Sequence, residues 1–193
     1  VASTFETSDF RKGLKILHNG QPYSIVDFQH VKPGKGNQFT RTKLRNLMTG
    51  SVLEVTYRSG ERVEDAEVEQ RTMQFLYADG PTYHFMDQKT YDQVEIQEDV
   101  IGSAKDFILP EMNAEVVFWR GRPVTAEIPQ HVELKIEYCE PGVRGDTATN
   151  VTKPATLETG ATVNVPLFIN IGDTVKVDTS TGSYLERTGI GNG

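Results

Sequence analysis

The sequence predicts an all-β protein built as three small β-barrel domains in series, with little helix. Apolar and polar residues alternate at a period of two along most of the chain, and turn signals recur about every 8–12 residues. Each hairpin-rich stretch is about 60 residues long, which suits small barrels better than one large sandwich. The acidic stretch Glu61–Glu69 and the Ile128-Pro129 step mark the junctions, so the expected domains are 1–65, 66–129 and 130–193. Modules of this size include the SH3-like barrel and the OB-fold.

Taken in order, Ser8-Asp9 caps a single turn around Phe10. Leu14, Ile16 and then Tyr23, Ile25 flank His18-Asn19-Gly20-Gln21-Pro22, a hairpin signal with glycine in the turn. Strands follow at Val52–Tyr57 and Met73–Tyr77, the second ending in the turn Ala78-Asp79-Gly80-Pro81. Val100–Leu109 is the one further helical pattern before Pro110 stops it. Val116–Trp119 and Val124 flank the turn Arg120-Gly121-Arg122-Pro123. The clearest alternations are Val132, Leu134, Ile136, Tyr138 and then Val163, Val165, Leu167, Ile169, Ile171. That register puts Cys139 on the polar face with Glu133, Lys135 and Glu137. Val175–Val177 and Tyr184-Leu185 flank a last turn at Thr179–Gly182.

Composition excludes several classes. No run approaches the roughly 20 apolar residues of a membrane-spanning helix, so no membrane partner is expected. The start, VASTFETSDFRKG, lacks the basic-then-apolar order of a secretory signal, and the single Cys139 fits a reducing cytoplasm. Four scattered histidines and one cysteine give no metal-ligand spacing, and neither metal nor cofactor is expected. Gly34-Lys35-Gly36-Asn37 lacks the spacing of a phosphate-cradling loop, there is no G-x-S-x-G elbow, and carboxylate pairs such as Asp65/Glu67 and Glu98/Asp99 read as solvated surface. The chain is not expected to be an enzyme.

Charge is uneven. The formal net charge is −7, yet residues 1–65 carry +3, residues 66–129 carry −7 and residues 130–193 carry −3. The run 32–45 holds Lys32, Lys35, Arg41, Lys43 and Arg45 with no acid. A solvated strand face or a surface for a polyanion fits these charges equally. Within the run, Pro33 pushes Lys32 towards an extended conformation, while Gly34 and Gly36 permit positive φ on either side of Lys35. The result is a hairpin tip with one lysine at its apex, either an incidental turn or a probe for a phosphate-lined cleft.

The chain resembles the bacterial translation elongation factor P family over essentially its whole length. The resemblance rests on Asp9-Phe10-Arg11-Lys12-Gly13-Leu14, the Lys32–Gly36 tip, Tyr77-Ala78-Asp79-Gly80 with His84-Phe85-Met86, and Pro141–Ala148. It continues through Lys153-Pro154-Ala155, Thr159-Gly160 and Val163–Phe168. It implies an L-shaped, tRNA-like monomer: an SH3-like, KOW-type domain followed by two OB-fold domains. It implies binding to the 70S ribosome between the P and E sites, where synthesis stalls at consecutive prolines. Lys35, framed by Pro33, Gly34 and Gly36, would reach the CCA end of the P-site peptidyl-tRNA. Lys32, Arg41, Lys43 and Arg45 would face RNA.

The same resemblance implies that a lysyl-tRNA-synthetase-like ligase adds a β-lysyl group to Lys35. A family branch with arginine at the tip receives rhamnose instead, which the lysine excludes; other lysine-bearing members carry aminopentanol or act unmodified. The loop Gly145-Asp146-Thr147-Ala148 would lie near the small subunit and the E-site codon. Its small residues let the backbone approach RNA, with Asp146 ordering the turn or accepting a base donor, although a plain OB-fold loop has the same composition. The alternative function is an OB-fold RNA-binding or chaperone protein. Such readers need exposed aromatic platforms, whereas Phe39 is the only aromatic in the basic run.

Overall fold

The computed structural model describes residues 3–142 and 151–192, which form an all-β fold with three short helical turns. Strands β1 (Thr4–Glu6) and β6 (Arg62–Glu64) make a two-stranded ribbon. Beside it, β2 (Lys15–His18), β3 (Gln21–Val31), β4 (Phe39–Asn46) and β5 (Val52–Arg58) form an antiparallel meander, with an isolated bridge from Ile16 to Asp65. The β2–β3 connection is Asn19-Gly20, both at positive φ (51° and 74°), the two-residue turn whose twist matches that of its strands. Alternation along these strands sends Ile16, Tyr23, Ile25, Leu44, Tyr57 and Val63 into one core, which Phe10 and Leu14 join from the segment before β2. The Tyr57 hydroxyl in that core finds no partner among the described residues. Burial, and then Glu61, push its pKa up to about 12, so it stays neutral.

The second sheet has the order β11-β10-β7-β8-β9, comprising β7 (Glu69–Asp79), β8 (Thr82–Asp87), β9 (Gln93–Gln97), β10 (Asn113–Trp119) and β11 (Arg122–Glu127). The third has the order β14-β13-β12-β15-β16: β12 (His131–Cys139), β13 (Thr152–Leu157), β14 (Thr162–Pro166), β15 (Thr174–Asp178) and β16 (Ser183–Gly189). Its core joins Leu134, Ile136, Leu157, Val165 and Val175 to Phe107 from the helical segment.

Packing groups the chain into two compact units, residues 1–71 with 117–125, and residues 72–116 with 126–193. The first therefore includes the β10–β11 hairpin tip, held by a cluster of Leu47, Val117 and Val124 with Met48, Val68 and Trp119 against it.

Four local expectations are corrected. Ser8-Asp9 do not cap a turn around Phe10: they lie inside a 3-10 turn at Thr7–Asp9 that Glu6 caps, and Phe10 follows it. The helical pattern at Val100–Leu109 is an α-turn at Glu98–Ile101 followed by a 3-10 turn at Gly102–Asp106, because Gly102 at φ 60° ends the α geometry. The alternation Val163–Ile171 is not one strand: β14 stops at Pro166 and Ile171 is exposed, since the segment turns through Ile169 and Gly172. Cys139 is not on the polar face. A β-bulge between Ile136 and Tyr138 inserts one residue, so Tyr138 points out and Cys139 is buried, with Sγ 3.5 Å from the Ile169 carbonyl.

Candidate nucleic-acid interface

The β3–β4 connection is the seven-residue loop 32–38, flanked by Val31 paired with Phe39. Lys35 stands exposed within it and makes no hydrogen bond or ion pair among the described residues. Gly36 has φ 112°, a conformation that L side chains rarely adopt; Gly34 does not use positive φ, although the sequence permitted it. At the loop's base the His30 ring nitrogen Nδ1 lies 2.8 Å from Thr40 Oγ1, and His30 packs edge-on against Phe28 at 5.4 Å. These contacts fix the two strand ends that carry the tip.

Below the loop, Arg41, Lys43 and Arg45 all point outward from β4, alternating with buried Thr40, Thr42, Leu44 and Asn46. A bulge at Val26 shifts the parity of β3, so Ser24, Asp27 and Gln29 share that outward face. Arg41 lies between Gln29 and Thr56, Lys43 between Asp27 and Glu54, and Arg45 between Ser24 and Val52. Lys43 is thus flanked by two carboxylates, whereas its neighbours face neutral groups. The Arg41 guanidinium also rests over the Phe39 ring at 5.7 Å.

Lys32 is exposed at the start of the loop and Pro33 is half-buried. The structure thus brings Lys32, Pro33, Gly34, Lys35 and Gly36 into one loop and Arg41, Lys43 and Arg45 onto one strand face below it. Gly145, Asp146, Thr147 and Ala148 lie outside the described residues.

Sequence reasoning missed Arg58, which pairs with Phe39 across β4–β5 and joins the same face near the tip. It also missed Lys12, whose Nζ is 3.7 Å from Asp27 Oδ1 in an exposed ion pair. Both lie outside the run 32–45: strand pairing brings Arg58 to it, and the turn before β2, held by the Gly13 N–H on the Ile25 carbonyl, brings Lys12. Among the described residues no group of His, Cys, Asp and Glu could hold a metal ion, and no helix is long and apolar enough to cross a membrane.

The chain matches known proteins along most of its length. The family models for the elongation factor P KOW-like domain, OB domain and C-terminal domain match residues 6–63, 68–126 and 132–187. The chain is 53% identical to elongation factor P of Bdellovibrio bacteriovorus, covering 95% of this chain and 97% of the relative. It is 52% identical to that of Caldanaerobacter subterraneus subsp. tengcongensis, covering 93% and 97%. A solved structure titled eukaryotic translation initiation factor 5A from Methanococcus jannaschii superposes with a TM-score of 0.53 at 21% identity, covering 65% of this chain and 94% of that one, a likeness of fold. The KOW-like and OB modules implied by the resemblance are therefore present, and the chain belongs to the elongation factor P family, whose members are translation factors rather than enzymes.

Proposed function

We propose that the protein binds the 70S ribosome between the P and E sites and speeds peptide-bond formation at consecutive prolines, with Lys35 steadying the CCA end of the P-site peptidyl-tRNA. The observation that carries this reading is Lys35 itself: exposed in the loop, without an intramolecular partner among the described residues, above a face of outward cations. A group meant for an external polyanion is left unpaired by its own protein.

Proline is a secondary amine with a fixed φ and reacts slowly. Holding the peptidyl-tRNA near attack geometry lowers that barrier without any proton transfer, and orientation supplies at most about 7–11 kcal/mol. A lysine arm needs only to touch phosphate and ribose. A β-lysyl group added to Lys35 by a lysyl-tRNA-synthetase-like ligase would lengthen the arm and bring a further amine; this modification, too, is proposed.

The test is reconstituted synthesis on a triple-proline template. With Lys35→Ala at saturating concentration, the rate through the prolines should fall to near that without the factor. A wild-type rate would overturn the mechanism. Intact mass of protein from its native host checks the modification: an increment of one lysyl unit on the Lys35 peptide is expected.

A further inference from the structure

We propose that the β10–β11 turn, Arg120-Gly121-Arg122, is a second contact for an RNA phosphate backbone, beside the Arg45 end of β4. The inference rests on the ribosomal reading above. Residues 66–129 carry 12 acids, but none lies between Val116 and Ala126, and two of their five cations sit side by side in this turn. Both arginines are exposed, and neither has an ion pair or hydrogen bond among the described residues.

The first arginine of the turn is also held in place by its neighbours. Arg120 adopts φ 49°, the left-handed backbone that a two-residue hairpin turn requires, which fixes where its side chain leaves the chain. Its guanidinium lies 4.5 Å over the Trp119 ring. Trp119 in turn packs against the Leu47, Val117 and Val124 cluster. A guanidinium seated on an anchored indole has lost most of its rotamer freedom before any ligand arrives, yet keeps its planar fork of donors for phosphate oxygens.

The position follows from β4. Leu47 is buried just past the end of β4 at Asn46, and it clusters with Val117 and Val124. The turn therefore docks at the Arg45 end of the strand, opposite the end that carries the Lys35 loop; Phe39 to Arg45 spans about 20 Å. Compact packing reinforces the point: the unit made of 1–71 and 117–125 holds 13 Lys/Arg against 9 Asp/Glu, while the other unit holds 7 against 18. RNA is the partner chosen because the turn docks at the end of a strand whose outward face holds more cations than acids, in a unit where cations outnumber acids.

The experiment compares two double variants with wild type on 70S ribosomes holding a P-site peptidyl-tRNA on a triple-proline template. Arg120→Asn with Arg122→Gln removes both charges while Asn tolerates the left-handed backbone; Arg120→Lys with Arg122→Lys keeps them. Affinity is measured across a salt series, with thermal unfolding as a check on the fold. The neutral pair should bind about tenfold more weakly or worse at low salt, with the log–log salt slope reduced by about 1.5–2. The lysine pair should retain most of that slope. Equal affinity and slope for the neutral pair overturns the inference. So does a loss of affinity at unchanged slope, which identifies a protein partner for the turn instead. If wild type itself fails to bind these ribosomes, the ribosomal reading falls and this one with it.

Discussion

At the tip, two glycines of the same composition do different things. Gly36 sits at φ 112°, where an added Cβ is strained whatever the space, although its nearest neighbour would be Pro33 Cγ at 3.9 Å. Gly34 has open space and no such φ. Gly36→Ala should therefore cost about 1 kcal/mol and redirect the backbone next to Lys35, whereas Gly34→Ala should do neither. Thermal unfolding and the triple-proline assay read the two effects; equal behaviour of the variants would show that the loop has no preferred path. The sequence made Lys35 legible because Pro33, Gly34 and Gly36 are local signals. Arg58 was not legible, because its place on the face is set by a pairing partner 19 positions earlier, Phe39.

Among the elements, turns were legible and bulges were not. Asn19-Gly20 announces its turn by residue type, and Arg120-Gly121 repeats the geometry with φ of 49° and 77°. The bulges at Val26 and between Ile136 and Tyr138 carry no composition signal, and each reverses the faces of every residue beyond it. That is why Cys139, an alternating polar-face residue on paper, is 4% exposed. Its thiol should accordingly resist a thiol reagent in the native protein and react at a rate that follows unfolding; immediate labelling would contradict the bulged register.

The third sheet is closed by Asp173, which is 1% exposed. Its carboxylate accepts the backbone N–H groups of Asn170 and Gly191 at 2.9 and 2.8 Å and faces Arg187 at 3.6 Å. Burial alone would raise its pKa, but the two amides and Arg187 outweigh it and the net shift is downward. A depressed folded pKa means stability that is present above the unfolded value of about 4 and lost as pH falls through the folded one. Asp173→Asn should cost on the order of 2 kcal/mol at neutral pH and flatten the acid side of the stability profile. Urea unfolding at several pH values measures both, and an unchanged acid slope would show that Asp173 is not the group responsible.

Over the whole molecule, net charge hides where the cations lie. A chain at −7 reads as unsuited to RNA, yet its cations are concentrated in the unit that holds the tip. The sequence showed the excess but not its grain: strand pairing sets Lys43 between Asp27 and Glu54 while Arg45 faces Ser24 and Val52. Substitutions along one strand should therefore be unequal. Arg45→Ala removes an uncompensated cation and should weaken ribosome binding and its salt dependence, with proline synthesis recovering as the factor is raised. Lys43→Ala leaves Glu54 without its cross-strand cation while Asp27 keeps Lys12, so repulsion from Glu54 adds to the loss of the cation; the salt slope should fall by more than the single contact that Arg45 removes. Lys35→Ala should separate the two quantities altogether, lowering binding only modestly while synthesis stays low at saturation. A binding titration across salt, run beside the triple-proline assay, ranks all three. If Lys43→Ala and Arg45→Ala reduce the slope equally, the flanking acids do not modulate the face, and its cations act as independent point charges.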